Sequence, residues 1–373
     1  MTAAELFRRS RRTVVKIGSS LLVGADGQLR QAWLSSLAAD IASLKTGGNQ
    51  IIVVSSGASA LGRKRLKLPG RDLRLDEKQA AAAAGQIRLA RAYEGVLGEV
   101  GLATAQLLLT LDDTEARRRY LNARSTLETL LRLNVVPVVN ENDTVATSEI
   151  RFGDNDRLSA RVAVMASAEM LVLLSDVDGM YTDDPRRNPD ARHLPEIRTI
   201  DEALVQMAGG AGSAHGTGGM ASKLQAAAIA TRAGCPVLLA KGSVERPLAT
   251  IAEGGRASLF HAIGSARRAR KEWIAGSLVT QGRLVVDDGA VRALRAGKSL
   301  LPAGVTRVEG AFQKGDAVAV EDPQGAVIAK GLSAYDGTEA MALAGRRTED
   351  IERILGYRGR DELIHRDNLV LLT

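Results

Sequence analysis

Residues 13–22 read TVVKIGSSLL, a strand-like apolar run from Thr13 to Ile17 that breaks into Gly18, Ser19 and Ser20, with Lys16 just before the break. A glycine at a strand end lets the backbone approach a ligand, and a lysine beside it supplies a full positive charge. The stretch therefore reads as an anion cradle. VVSSGASALG repeats the pattern, with Ser55, Ser56 and Gly57 following the apolar run Ile51 to Val54. A third cradle is TGGMASK, Thr217 to Lys223, which opens an apolar helix from Leu224 to Ala233. Helix N-termini carry unpaired N–H groups and a partial positive charge. Gly216, Gly218 and Gly219 leave those donors open, and Lys223 adds a charge one helical step on. None of the three is a GxxxxGK[ST] P-loop or a GxGxxG dinucleotide turn. Each alone also matches a plain turn before a helix; three in one chain, two with a lysine, point to phosphoryl transfer.

Outward from these loops, apolar runs of strand length alternate with long helical patterns through about residue 263, the signature of an α/β fold with a largely parallel sheet. The strands expected are Thr13 to Ile17, Gln50 to Val54, Ala105 to Leu109, Val135 to Val139, Met170 to Leu174 and Pro236 to Ala240. The helices expected are Arg30 to Lys45, Asp76 to Glu99, Asp113 to Leu133, Arg157 to Ala166, Ile200 to Met207 and Ser222 to Ala233. Ligands of such sheets collect beyond the carboxyl ends of the strands, where the three cradles fall. After Trp273 the texture changes to short alternating stretches such as GRLVVDDGAVRAL and DAVAVEDPQGAVIAKGLSAY, a small β-rich domain. The division expected is a first domain over residues 1–265, a basic linker over 266–275 and a second domain over 276–373.

A chain of 373 residues has room for two or three domains. No apolar run reaches the ~18 residues of a membrane span, and MTAAELFRRSRRT lacks the apolar segment of a secretory signal. A cytoplasmic protein is expected. The single cysteine, Cys235 in the apolar run CPVLLA, excludes an internal disulfide and reads as a buried thiol. The net charge of +7 suits anionic ligands without choosing among them. Aromatic residues are only 3% of the chain, too few for base-stacking platforms, so RNA binding is not expected. Clusters such as Arg117 to Arg119 and Arg267, Arg268 and Arg270 read as solvated faces.

Two polar clusters follow strands further along. NENDTVATSEIRFGDNDRLSA, Asn140 to Ala160, gathers Asn140, Glu141, Asn142, Asp143, Asp154, Asn155 and Asp156 after the run VVPVV. So many short polar side chains after a buried strand are costly unless they bind something; a solvated loop with an aspartate helix cap is the other reading. SDVDGMYTDDPR, Ser175 to Arg186, follows LVLL. Ser175 and Asp176 are placed to meet a nucleotide, while Asp183 and Asp184 before Pro185 serve equally as turn formers.

Taken in order, VVKIGSSLL, VVSSGASALG, NENDTVATSEIRFGDNDRLSA, LLSDVDGMYTDDPR and GTGGMASKLQAA resemble the successive motifs of the glutamate 5-kinase branch of the amino-acid kinase family. KEWIAG with the β-rich tail resembles that branch's C-terminal PUA domain. The departures are SSGASA for the common SGAIA, which bears on packing beside the substrate, and MASK for MSTK, which bears on one nucleotide contact. The resemblance implies the amino-acid kinase fold, a mostly parallel sheet sandwiched by helices, plus a small β-rich PUA-like domain. It implies transfer of the γ-phosphoryl of ATP to the side-chain carboxylate of L-glutamate, the first step of proline synthesis. Lys16 and Lys223 would be catalytic, with Asp156 holding them. Ser56, Asp143 and Asn155 would bind glutamate. ATP would lie on Lys16, Ser175, Asp176, Thr217, Gly218, Gly219, Met220, Ala221, Ser222 and Lys223, with Mg²⁺ riding on its phosphates and no protein ligand set for the metal. Proline as feedback inhibitor, a homo-oligomer and contact with glutamyl phosphate reductase are further implications. Other kinases of this fold acting on a different acid or on a nucleotide, and an RNA-binding protein using the PUA-like tail, are the alternatives.

Overall fold

The computed structural model describes residues 1–70, 73–145, 154–207, 219–265 and 280–372. The chain forms two compact units, Met1–Ala266 and Arg267–Thr373.

In chain order the first unit runs α1 Ala3–Arg9, β1 Arg12–Ile17, α2 Ser19–Leu22, α3 Gln31–Thr46, β2 Gln50–Ser55, α4 Ala58–Arg65, α5 Leu75–Glu99, β3 Thr104–Leu109, α6 Leu111–Glu115, α7 Arg117–Arg132 and β4 Val136–Glu141. It continues with α8 Asp154–Met165, β5 Met170–Ser175, β6 Met180–Tyr181, β7 His193–Leu194, β8 Glu196–Ile197, α9 Glu202–Met207, α10 Met220–Arg232, β9 Val237–Lys241, α11 Pro247–Ala252 and β10 Ala257–Phe260. Eight strands make one sheet in the order β3-β4-β2-β1-β5-β9-β10-β8. The neighbours from β3 to β9 are parallel; β10 is antiparallel to β9 and parallel to β8.

The run that opens the sequence explains the layers. Alternate side chains of a strand face opposite sides. Val15 and Ile17 enter a core with Leu34, Leu37 and Ile41 of α3 and with Leu89 and Tyr93 of α5. Val14 enters the opposite core, with Leu158 and Val162 of α8, Leu224 of α10 and Leu127 of α7. Both faces are dry, which is why the central strands are continuous apolar runs rather than alternating ones. Lys16 shares the face of Val14 and so projects toward α8 and α10.

The long helix expected from Asp113 to Leu133 is two helices. Thr110 accepts from the Asp113 N–H, and the Asp113 carboxylate accepts in turn from the Thr110 N–H at 2.8 Å and hydroxyl at 2.8 Å. This reciprocal cap starts α6 early. Ala116 then adopts extended backbone, closing α6 and opening α7.

The second unit is a five-stranded sheet, β11 Gly282–Val286, β12 Val305–Glu309, β13 Ala317–Glu321, β14 Val327–Leu332 and β15 Leu369–Leu371, in the order β12-β11-β13-β14-β15. Its core includes Leu284, Val318, Phe312 and Leu363. The stretch DDGAVRAL, expected as alternating strand, is a helix, α12 Asp288–Arg295. Asp287 caps it, accepting from the Ala290 N–H at 2.6 Å. Ala290, Val291 and Leu294 face the core, the i, i+1, i+4 spacing of a helix face rather than the period of two of a strand. The linker expected over 266–275 lies outside the described residues.

Candidate active site

Strand order fixes the site's geography. β1 lies at the centre, with β2 and β4 on one side and β5 and β9 on the other. The carboxyl end of β1 delivers Lys16, that of β2 Ser56, that of β4 Asp143, and that of β5 Ser175 and Asp176. The expected glutamate residues Ser56 and Asp143 thus stand on one side of β1, and Ser175 and Asp176 on the other.

Above the central strand is a buried charge cluster. Asp156, in the first turn of α8, has no solvent exposure. Lys16 Nζ lies 2.6 Å from Asp156 Oδ1, and Lys223 Nζ, from the first turn of α10, lies 3.4 Å from Oδ2. The Ser222 hydroxyl donates to the same Oδ2 at 2.6 Å and also reaches the Gly219 carbonyl at 2.9 Å. A carboxylate removed from water is expensive unless paired. Burial pushes the Asp156 carboxyl up, but Lys16 and Lys223 outweigh it and hold the group below its ordinary value. Burial pushes the Lys16 ammonium down; Asp156 opposes that and Lys223 adds to it. One anion between two cations leaves the cluster a net positive charge facing the strand ends.

The loops around it are strapped together. The Ser56 N–H donates to the Ile17 carbonyl at 3.0 Å, tying the second cradle to the first. Gly57 takes φ +104°, a conformation open to glycine. Beneath, the buried Tyr93 hydroxyl donates to Ser55 Oγ at 2.9 Å, and Ser55 Oγ donates to the Ser56 carbonyl at 3.1 Å. Helices α4 and α5 cross with almost no gap. A Cβ at Gly62 would overlap the Ala81 carbonyl, and one at Gly85 the Ala58 carbonyl. The pairs Ala58/Gly62 and Ala81/Gly85 are spaced one turn apart, which is the sequence signal that reading by charge and loop motif passes over.

On the β4 side, Asn140 donates to Gln86 Oε1 at 2.7 Å and accepts from the Glu141 N–H at 2.9 Å. Asp143 lies in the following turn, in a cleft of about 300 Å³ lined also by Gln86, Glu141 and Asn142. Asn155, beside Asp156, has its side-chain oxygen buried with no hydrogen-bond partner among the described residues. A buried acceptor without a donor costs stability.

On the β5 side, the Ser175 hydroxyl donates to Asp176 Oδ1 at 3.1 Å, and Arg186 meets Asp176 Oδ2 at 2.6 Å. Gly219 caps α10, whose first turn holds Met220, Ala221, Ser222 and Lys223. Thr217, Gly218 and His215 lie outside the described residues. Asp183 and Asp184 prove to be turn formers, accepting from the Asp184 and Arg186 N–H groups at 2.7 and 3.0 Å. Cys235 is buried, and burial pushes its thiol up to about 12. A thiol so held is no nucleophile. Among the described residues no helix is long and apolar enough to cross a membrane.

Paired lysines on a buried aspartate at the central carboxyl end of a parallel sheet suit a phosphotransferase. The model of the amino acid kinase family matches residues 11–241 and that of the PUA domain residues 282–355; the chain belongs to the amino acid kinase family. It is 58% identical over 363 residues to the glutamate 5-kinase of Paramagnetospirillum magneticum, covering 97% of this chain and 98% of that protein. It is 57% identical over 364 residues to the glutamate 5-kinase of Rhodopseudomonas palustris (strain BisB5), covering 97% of each. To the glutamate 5-kinase of Rhodospirillum rubrum it is 58% identical over 360 residues, covering 96% of each.

Proposed function

We propose that this chain phosphorylates the γ-carboxylate of L-glutamate with ATP, giving L-glutamyl 5-phosphate and ADP, the entry step of proline biosynthesis. The observation that carries the reading is the Lys16–Asp156–Lys223 cluster at the centre of a cleft whose two sides are separately furnished. Near-full-length identity of 55–58% to glutamate 5-kinases supports the choice of acceptor.

The chemistry suits the residues. A side-chain carboxylate ionises near pH 4.3 and is already a nucleophile at neutral pH, so no general base is required. The barrier is electrostatic: an anion must approach the negative γ-phosphate in line with its leaving group. Lys16 and Lys223 would meet the charge that spreads over the transferring group, while Asp156 fixes both ammonium groups. Asp143 would pair with the α-ammonium, the Asn155 oxygen would accept from it, and Ser56 with its strapped loop would receive a carboxylate. Ser175, Asp176 and the segment Thr217 to Lys223 would hold ATP.

Mg²⁺ is the cofactor of this reading. Asp156 is occupied by its lysines and Ser222, and among the described residues no three His, Cys, Asp or Glu side chains converge as a metal site. In this reading the ion is held chiefly by phosphate oxygens, as is usual for magnesium. When bound, it supplies charge neutralisation at the phosphates. The reading carries further proposals: proline competing at the glutamate side as feedback inhibitor, a homo-oligomeric enzyme, hand-over to glutamyl phosphate reductase, and work in the cytoplasm.

The test is ADP release with glutamate and hydroxylamine present to trap the acyl phosphate as its hydroxamate. One hydroxamate per ADP, dependent on glutamate and not on aspartate, is expected. ADP release without hydroxamate would refute the acceptor.

A further inference from the structure

We propose that Lys241 is a third cationic contact for the nucleotide's phosphates, on the outer side of the cleft from Lys16 and Lys223. The inference rests on the reading above that ATP lies on Lys16 of β1, on Ser175 and Asp176 at the end of β5 and on the first turn of α10. Lys241 is the last residue of β9 and pairs in register with Ser175, the last of β5. Along β9, Val237 and Leu239 belong to the core that contains α8 and α10, whereas Leu238 and Ala240 face the other way. Alternation therefore sends Lys241 to the face that carries Lys16, and Ser175 follows Leu173 onto the same face.

Lys16 pairs with Leu173, so Lys241 stands two residues higher, about 7 Å further along the strand direction and two strands, about 10 Å, across. That is a position over the cleft rather than in its floor. The following residue pins it there. The Gly242 N–H donates to the Ser175 carbonyl at 2.7 Å, and Trp33 Nε1 donates to the Gly242 carbonyl at 2.7 Å. A Cβ at Gly242 would overlap Leu21 Cδ1 and Leu174 Cβ. The chain thus passes directly against Leu21, three residues beyond Gly18 of the first cradle.

Lys241 is exposed, and its ammonium has no hydrogen-bond or ion-pair partner among the described residues. Asp176, next along from Ser175, is engaged by Arg186 at 2.6 Å. Lys16 and Lys223 are both turned toward Asp156. Among the described residues Lys241 is thus a cation at these strand ends beyond the Lys16–Asp156–Lys223 cluster, and an α- or β-phosphate on the β5–β9 side is the chemistry that matches it.

The test compares Lys241→Met and Lys241→Arg with the unaltered full chain by calorimetric titration with ADP and with adenosine, alongside steady-state kinetics. Loss of a charge-assisted contact should weaken ADP by about 10-fold. Adenosine binding and the KM for glutamate should stay put, arginine should restore most of the ADP affinity, and the deficit should shrink as salt rises. ADP binding by Lys241→Met within twofold of the unaltered chain overturns the proposal, as does an equal loss for adenosine. A chain that binds ADP but forms no glutamyl hydroxamate sinks the acceptor assignment and leaves Lys241 to be judged on ADP binding alone; one that binds no ADP overturns both.

Discussion

Asp156 makes two buried lysines tolerable and fixes both ammonium groups, and in the proposed mechanism the chemistry turns on it. Replacing Lys16 or Lys223 with Met removes a charge needed most where charge develops, so kcat should fall on the order of 10²-fold or more with a smaller change in substrate affinity. Steady-state assays of both variants check this; near-normal turnover in either would refute the mechanism. Asp156→Asn leaves the lysines buried without a counter-charge, a loss of about 3–5 kcal/mol by analogy with broken buried pairs. Its pH dependence has a definite sign. The folded carboxyl lies below its ordinary value of 3.8, so its stabilisation is fully present above that value and is lost as pH falls through the lower folded one. For Lys16, lowered from 10.5, the folded state sheds its proton first on going alkaline, so stability gains with pH between the folded value and 10.5. Denaturant titrations of the two chains should show a gap at pH 7 that closes below about pH 4; a gap unchanged down to pH 3 would mean that ionisation of Asp156 is not what holds the cluster.

At the scale of elements, the second cradle is only as well placed as the helices beneath it. Gly85→Val would drive a side chain into the Ala58 carbonyl and push α4 off α5. A loss of several kcal/mol is expected, read as a lowered Tm. Tyr93→Phe is gentler: it removes the hydroxyl that steadies Ser55 and, through it, the Ser56 carbonyl. The KM for glutamate should rise severalfold with the KM for ATP unmoved; the opposite pattern would detach this strap from the glutamate side. These contacts also show what a sequence conceals. Strands of the central sheet are legible because most are buried on both faces and read as unbroken apolar runs, so all six expected strands lie within a residue or two of their places. Lys16, Asp156 and Lys223 are legible as unusual charges at strand and helix ends. The Ser222 bond to Asp156, the Tyr93 strap and the glycine crossing join residues 38 or more apart, or depend on interhelical distance, and no local pattern encodes them. The break at Ala116 is hidden because a cap overrides periodicity, whereas the helix at Asp288–Arg295 carries helical spacing at Ala290, Val291 and Leu294 in too short a run to stand out among the alternating stretches around it.

For the molecule as a whole, every residue given a role in phosphoryl transfer lies in the first compact unit, Met1–Ala266. A chain ended at Trp273 should fold and still phosphorylate glutamate, with changes confined to stability, assembly or response to proline. A soluble, folded but inactive truncation would contradict that. The second unit by itself should bind RNA weakly at physiological salt, since the PUA likeness fixes a fold and not a function; gel-shift titration at submicromolar protein checks it. On the proposed division, β1 separates glutamate, over β2 and β4, from nucleotide, over β5 and β9. The direct test is to measure both Michaelis constants in Asp143→Ala. Loss of the counter-charge on the β4 side should raise the KM for glutamate ~10-fold or more and leave that for ATP within twofold, whereas a raised KM for ATP with glutamate unaffected would place Asp143 in the nucleotide site and contradict the division at β1.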